Sequence, residues 1–208
     1  MPAENDTIRW IIRGAKNWAR SVRNRYFYDF VFIHINKTAG SSIERALGLR
    51  FEHKTALEKR AELGPARWDK RFSFTFVRNP WDRVVSLYHY RIMTNTTGLG
   101  DKPIDFKTWV RLTFRDHDPD YYNSPKMLMP QWDWIVDREG NILVDFVGRF
   151  ENLEYDFRAV CHRVHRQATL PHLKKTTRSP YRAYYDDASI EIVQDWFKVD
   201  VEEFDYEF

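Results

Sequence analysis

Three stretches rich in apolar residues divide the chain. They are "FVFIHI" (30–35), "FSFTFV" (72–77) and "ILVDFVGRF" (142–150). The first is nearly continuous in apolar and β-branched residues, which suits a parallel strand buried on both faces. The second is predicted to be another buried strand, and the third is a further strand candidate. A segment with helical spacing of its apolar residues follows each run. Alternating strands and helices predict an α/β fold with a central, mainly parallel sheet flanked by helices.

Apolar residues at steps of three and four predict the helices. The predicted helices are "SIERALGL" (42–49), the stretch 80–92, "ENLEYDFRAVCHRVH" (151–165) and "SIEIVQDWFKVDVEEF" (189–204). Ser41 and Glu44 have the spacing of a capping box for the first helix. Asn79 can cap the second helix, and Pro80 then occupies its favoured first position.

Two segments fall outside this alternation. Residues 7–26 have the spacing of an amphipathic helix whose polar face carries five basic residues and no acidic one. We expect this helix to pack on the domain, and the alternative is that it lies on an anionic membrane surface. The predicted organisation is therefore a basic helix in 1–28 and one domain in 29–208. Residues 94–125 are polar and rich in turn residues, which indicates an insertion with short helices that shapes a cleft.

Composition narrows the class of protein. The 208 residues include 33 basic and 30 acidic side chains, a formal net charge of +3. This balance argues against a nucleic-acid-binding protein but allows a local site for a small anion. The lone cysteine, Cys161, excludes a disulfide within the chain and is expected to be buried. Since the sequence has no signal-peptide pattern and no apolar run of about 20 residues, we expect a cytoplasmic protein.

The stretch "NKTAGSS" (36–42) has the chemistry of an anion-binding loop. It follows a strand and opens a helix, so backbone N–H groups and the helix N-terminus converge on one point. Lys37 adds a full positive charge, and three hydroxyl groups come from Thr38, Ser41 and Ser42. A nucleotide P-loop would instead follow the pattern GxxxxGK[ST]. Val31 and Asn36 stand at its two glycine positions, which disfavours an ATP-type site.

A second loop follows the second strand, in "FTFVRNPWDRVVSLYHY" (74–90). Arg78 stands at the strand end, and Ser86 lies two helical turns after Asn79 on roughly the same helix face. An arginine and a hydroxyl placed in this way can hold one phosphate from two directions. The alternative is that Arg78 forms a structural ion pair, for example with Asp82.

Together the two loops resemble the sulfotransferases that use 3′-phosphoadenosine-5′-phosphosulfate (PAPS). The likeness is to the Golgi-type carbohydrate branch and its bacterial relatives, covers roughly residues 29–208, and is strong at these two motifs. In that family the first loop binds the 5′-phosphosulfate and the second binds the 3′-phosphate. The resemblance thus implies that the donor is bound by Lys37, Thr38, Ala39, Gly40, Ser41, Ser42, Arg78 and Ser86.

A looser likeness concerns "LPHLKKTTRSPY" (170–181). It is similar to a late basic loop of uronosyl 2-O-sulfotransferases that closes over the nucleotide. That likeness implies a nucleotide contact from Thr176 and an acceptor contact from Lys174. The alternative is a solvated basic loop without either role.

The chemistry that the resemblance implies is in-line transfer of a sulfuryl group from PAPS to an acceptor hydroxyl, with 3′,5′-ADP as product. A carbohydrate is the expected acceptor. Lys37 would stabilise the charge that grows on the leaving phosphate. No metal is expected, because the sequence has no carboxylate cluster near either loop. Two other classes remain as alternatives: a P-loop-type kinase or NTPase, and an inactive nucleotide-binding protein associated with membranes.

The acceptor hydroxyl also needs a general base that titrates near neutral pH, which favours histidine. We expect His53 in this role, since the 2-O-sulfotransferase branch has its histidine base in a comparable interval of the chain. His34 lies on a strand and is expected to be a packed core residue, whereas His89 could serve either purpose. Some relatives use a glutamate, so Glu44 and Glu52 remain alternatives.

Overall fold

The computed structural model describes residues 28–171 and 178–208. The N-terminal helix predicted over 7–26 and the two residues Lys174 and Thr176 lie outside these ranges. Within them, three parallel strands form one sheet in the order β1-β2-β3. The strands are β1 (Phe30–Ile33), β2 (Phe72–Val77) and β3 (Phe146–Arg149). The predicted α/β class and all three predicted strands are therefore confirmed.

Helices surround this sheet. The α-helices are α1 (Gly40–Leu47), α2 (Ala56–Leu63), α3 (Pro65–Trp68), α4 (Pro80–Met93), α5 (Phe106–Val110), α6 (Pro125–Leu128), α7 (Leu153–Arg163), α8 (Asp187–Trp196) and α9 (Lys198–Glu203). Short 3₁₀ turns cover Thr96–Gly98, Trp132–Trp134, Phe150–Asn152 and Tyr181–Tyr184, and a π-helical turn covers Arg111–Arg115. The insertion predicted over 94–125 does contain short helices. Within the ranges described, no helix has both the length and the apolar character needed to cross a membrane.

Helix α4 begins as the sequence predicts. The Asn79 side chain accepts hydrogen bonds from the backbone N–H groups of Trp81 (3.1 Å) and Asp82 (3.3 Å), and Pro80 opens the helix. This cap sets the direction in which the helix leaves the end of β2. It thereby fixes where the residues that follow Arg78 are placed.

The capping box predicted for Ser41 and Glu44 is wrong. Helix α1 begins earlier, at Gly40, after Ala39 in a left-handed conformation, and no side chain caps it. Ser41 is exposed in the first turn, whereas Glu44 faces inward. The carboxyl of Glu44 accepts the Glu52 backbone N–H (3.2 Å) and so cannot reach back to the helix start.

The third strand is shorter than the predicted 142–150. The side chain of Asp145 accepts the Ser73 backbone N–H (2.7 Å), and strand pairing begins only after it, at Phe74 with Phe146. Upstream, Ile142 forms an isolated antiparallel bridge with Val136. The Asp145 N–H also donates to the Ser73 carbonyl at 2.9 Å, so this pair forms the entry to the ladder.

Two helical features also differ from prediction. Helix α2 was not predicted, although Thr55 and Glu58 have capping-box spacing and form that box in the structure. The single closing helix predicted over 189–204 is two helices, α8 and α9. The break falls at Phe197, and Asp200, on α9, is fully buried and accepts backbone N–H bonds from a neighbouring turn.

Both faces of the sheet are covered, as the continuous apolar strands predict. Val31 and Ile33 of β1 belong to one hydrophobic cluster, and Phe30 and Phe32 to a second cluster on the opposite face. Cys161 of α7 is buried in the second cluster, as expected. The two candidate loops follow the carboxyl ends of β1 and β2, so they meet at that edge of the sheet.

Candidate active site

The loops that follow β1 and β2 lie side by side. These strands are neighbours in register, with Ile33 opposite Thr75, so their carboxyl ends open at one edge of the sheet. The Arg78 guanidinium donates a hydrogen bond from Nη1 to the carbonyl oxygen of Lys37 at 3.1 Å. The structure therefore brings the two sequence motifs into direct contact.

The first loop has an unusual backbone. Lys37 and Ala39 both adopt left-handed conformations with φ of 68°, which few residues other than glycine adopt. Between them, Thr38 is fully buried and its hydroxyl donates to the Ile35 carbonyl at 2.9 Å. Alternating conformations of this kind turn successive N–H groups towards one point. Since no side chain caps α1, the N–H groups of Gly40 and Ser41 can donate to an anion there, whereas the Ser42 N–H donates to the Ala39 carbonyl at 2.9 Å.

Gly40 is required by close packing. A Cβ atom at this position would lie 1.9 Å from Cδ2 of the His34 ring. No side chain fits in that space, so the start of α1 rests directly on the end of β1. Ser41 is exposed and Ser42 half-buried beside it, at the open side of the loop.

Positive charge is concentrated at this edge. Asp82 forms ion pairs with Arg78 (2.6 Å from Nη2) and with Arg178. Burial, with repulsion from the two arginines, lowers the pKa of Lys37 to about 8. The arginine repulsion means that Lys37 experiences a net positive field, which suits a ligand with several negative charges.

One face of α4 connects the charged groups. Asp82, Ser86 and Tyr90 follow each other at intervals of four and so lie on the same side of the helix. Asp82 holds Arg78 at one end, and the Tyr90 ring lies 4.5 Å from Lys37 Nζ at the other. Ser86 lies between them and is half-buried.

The position of Arg78 depends on a buried network that sequence reasoning missed. The Gln131 side chain accepts the Arg78 N–H and donates to its carbonyl, both at 2.8 Å. Asp200 in turn accepts the Gln131 backbone N–H at 2.8 Å. The Arg78 guanidinium also lies 3.9 Å from the ring centre of Phe150. The alternative predicted for Arg78, an ion pair with Asp82, is therefore present. The same guanidinium also points towards the first loop.

Arg83 holds the start of the first loop. Its fully buried guanidinium donates to the Asn36 carbonyl (3.2 Å) and to the Asn36 side chain (2.8 Å). It also donates to the carbonyl of Met129 at 3.1 Å. Sequence reasoning assigned no role to Arg83 or Gln131, because their partners are distant in the chain.

His53 has a defined tautomer. Its Nδ1 lies 3.0 Å from the carbonyl oxygen of His34, which can only accept a hydrogen bond. Nδ1 therefore carries the proton, and Nε2 has the free lone pair that a base requires. Burial, together with repulsion from the neighbouring His34, lowers the pKa of His53. His53 is consequently neutral at physiological pH.

The other candidate bases have different environments. His34 is buried, as predicted for a core residue, and burial lowers its pKa to about 4. Burial raises the pKa of Glu44 to about 8, so this carboxyl is mostly protonated at neutral pH. The Glu44 carboxyl lies 2.9 Å from His34 Nδ1 without the alignment of a hydrogen bond. Glu52 is paired with Lys59 at 2.7 Å, and His89 is bonded to the Tyr184 hydroxyl at 3.0 Å.

The late basic loop reaches the site at its end. Lys174 and Thr176 are outside the described residues, so their predicted contacts stay predictions. Arg178, two residues after Thr176, pairs with Asp82. Within residues 28–171 and 178–208, no group of three or more His, Cys, Asp or Glu side chains is arranged to hold a metal ion.

Fold and site together define an α/β protein with a positively charged loop site at the carboxyl edge of a parallel sheet. The sequence profile of the sulfotransferase family matches residues 22–207. That match spans most of the chain, and the protein belongs to the sulfotransferase family. This membership confirms the family assigned from the two motifs.

Two individual proteins are similar to this chain. An uncharacterized protein of Archaeoglobus fulgidus is 29% identical over 106 residues, which are 50% of this chain and 77% of that protein. The crystal structure of a sulfotransferase from Alicyclobacillus acidocaldarius superposes with a TM-score of 0.46 at 16% identity. That superposition covers 86% of this chain and 94% of the other.

Proposed function

We propose that this protein is a PAPS-dependent sulfotransferase that sulfates a hydroxyl of an acceptor, with a carbohydrate as the expected class. Membership of the sulfotransferase family supports sulfuryl transfer in general. The observation that carries the choice of donor is the 3.1 Å hydrogen bond from Arg78 to the Lys37 carbonyl. This contact joins the two motifs into one cationic site, in which each loop would hold one anionic group of a single ligand.

The residues present fit such a donor, which supplies the sulfuryl group when bound. Lys37, the N–H groups of Gly40 and Ser41, and the Ser42 hydroxyl would hold its 5′-phosphosulfate. Arg78 and Ser86 would hold the 3′-phosphate. Thr176 is proposed as a further nucleotide contact and Lys174 as an acceptor contact.

His53 and Lys37 have separate roles in the proposed sulfuryl transfer. His53 Nε2 takes the proton of the acceptor hydroxyl as the new S–O bond forms. Lys37 stabilises the negative charge that develops on the leaving phosphate oxygen as the old S–O bond breaks. The proton ends on His53, and the positions of both partners are set by the loops rather than by a metal.

The donor assignment is tested by comparing nucleotides. We expect 3′,5′-ADP to bind more tightly than 5′-AMP by about 10–100-fold, the contribution of one charge-assisted hydrogen-bonded group. Arg78→Ala should remove most of this preference and leave 5′-AMP affinity nearly unchanged. Titration calorimetry measures both affinities for each variant.

The matched control is Arg158→Ala, which removes an exposed arginine of α7. It should bind both nucleotides as the wild type does. Equal wild-type affinities for 3′,5′-ADP and 5′-AMP would remove the roles of Arg78 and Ser86. Tighter binding of ATP with magnesium than of 3′,5′-ADP would favour a kinase or NTPase instead.

Nucleotide affinity should also depend on pH through Lys37. Its pKa of about 8 in the free protein means that the ammonium begins to deprotonate above neutral pH. A bound anion favours the charged form, so binding should take up a proton as pH rises past 8. The affinity for 3′,5′-ADP should be nearly constant at pH 7 and fall by up to about tenfold per pH unit well above 8.

Calorimetry in buffers of different ionisation enthalpy measures this proton uptake directly. Lys37→Met should bind more weakly and lose the alkaline dependence. An affinity that stays constant between about pH 7 and 9.5 would show that Lys37 does not contact the nucleotide.

A further inference from the structure

Two exposed aromatic side chains border the candidate active site. Phe51 is 59% exposed and Tyr90 is 44% exposed. Large apolar rings that remain in water next to a functional site often mark a binding surface. Neither residue was singled out from the sequence.

Each ring contacts a residue of the proposed transfer machinery. The Phe51 ring lies 4.9 Å from the ring of His53, edge to face with an interplanar angle of 79°. The Tyr90 ring lies 4.5 Å from Lys37 Nζ. These contacts use only part of each ring, as the exposed fractions show. We call this pair, Phe51 and Tyr90, the aromatic rim.

His34 is a buried neighbour of both parts of the rim. Its ring contacts Phe51 (5.2 Å) and His53 (4.2 Å), and the charge of Lys37 helps to lower its pKa. Tyr90 is one helical turn beyond Ser86 on α4, and its ring lies 4.5 Å from Lys37 Nζ. Phe51 therefore flanks the proposed base, and Tyr90 flanks the cationic loop.

We propose that the aromatic rim binds the acceptor, and that the acceptor carries its hydroxyl on a six-membered ring with a flat apolar face. This inference rests on the proposed sulfotransferase function. Transfer requires the acceptor hydroxyl to reach His53 Nε2 while the sulfuryl group is held above Lys37, so the group between these two residues is the acceptor. Neither rim residue is charged, and aromatic faces recognise flat C–H or π surfaces rather than charge.

Two kinds of ligand have this chemistry: a pyranoside, through its C–H face, and a phenol, through its π-face. Both can be compared directly on protein saturated with 3′,5′-ADP. Methyl β-D-glucopyranoside and p-cresol serve as ring probes, and D-glucitol serves as an acyclic polyol control. Saturation-transfer NMR titrations report weak binding of each probe.

Either ring probe, or both, should bind the wild-type protein, and D-glucitol should not. Phe51→Ala and Tyr90→Ala should each weaken ring-probe binding by about three- to tenfold, the usual contribution of one aromatic contact. Phe51→Tyr and Tyr90→Phe keep the rings and should retain binding. Tyr155→Ala removes a 74% exposed tyrosine of α7 and should have no effect.

The measurements distinguish an error in the aromatic rim from an error in the donor assignment. Normal 3′,5′-ADP binding combined with ring-probe affinities that Phe51→Ala and Tyr90→Ala leave unchanged would overturn the aromatic rim alone. Equal binding of D-glucitol, or no binding of either ring probe, would do the same. Absence of 3′,5′-ADP binding to the wild type would overturn the donor assignment and the rim with it.

Discussion

Lys37→Ala is expected to lower the rate of sulfuryl transfer by about a thousandfold, the upper range for removing one preorganised charge from an active site. The Lys37 side chain is half-buried, where a charge interacts more strongly than in water. Its interaction grows as the leaving phosphate gains negative charge, so the loss should be in kcat rather than in the KM for PAPS. Transfer of label from radioactive PAPS to a pool of glycan acceptors measures the rate.

Controls separate this role from a structural one. Lys37→Arg keeps the charge and should recover part of the rate, and Lys70→Ala removes an exposed lysine and should be neutral. Calorimetry should show that Lys37→Ala still binds 3′,5′-ADP, because Arg78 and the α1 N-terminus remain. A Lys37→Ala variant with near wild-type turnover would exclude Lys37 from the chemistry.

His53→Ala is expected to lower transfer by about 10²–10⁴-fold, the usual effect of losing a general base. Its Nδ1 is held by the His34 carbonyl at 3.0 Å, which leaves Nε2 free to accept the acceptor proton. Nucleotide binding should be unchanged, because the hydrogen bond and ring contacts of His53 are made with His34, Phe51 and Trp134, which lie outside both candidate loops. Single-turnover rates and 3′,5′-ADP affinities, measured on the same preparations, test both statements.

The pH profile gives an independent check of the base. Burial lowers the pKa of His53, so the neutral form persists below the ordinary histidine pKa and the rate should fall only at pH values below it. On the alkaline side the rate should fall as Lys37 loses its proton near its pKa of about 8. His53→Ala should lose the acid limb and keep the alkaline one.

His162→Ala, which removes an exposed histidine of α7, is the matched control and should retain the rate and both limbs. If His53→Ala binds 3′,5′-ADP and turns over normally, His53 is not the base. The role would then pass to a carboxylate. Glu52 would be preferred over Glu44, because burial keeps the Glu44 carboxyl largely protonated at neutral pH.

The sequence by itself determined the sheet, the loops and the family. Strands buried on both faces are rich in apolar residues, so Phe30–Ile33 and Phe72–Val77 can be recognised from the local sequence, although the second strand also buries Ser73 and Thr75. The caps at Asn79 and Pro80 are equally local, since they act on backbone groups within one turn. Each of the two loops proposed to bind anions is a short continuous stretch, so its residue types indicate its chemistry without reference to the rest of the chain.

Tertiary structure decided how these parts act together. Arg78 is oriented by Gln131, 53 residues later in the chain, and Asp82 is shared with Arg178, 96 residues later. Glu44 has a raised pKa because the fold buries it, which no capping pattern could reveal. Such contacts depend on which surfaces meet when the helices pack on the sheet. The spacing of residues along the chain does not show which surfaces will meet. The exposure of Phe51 beside His53 is likewise seen only in the folded structure.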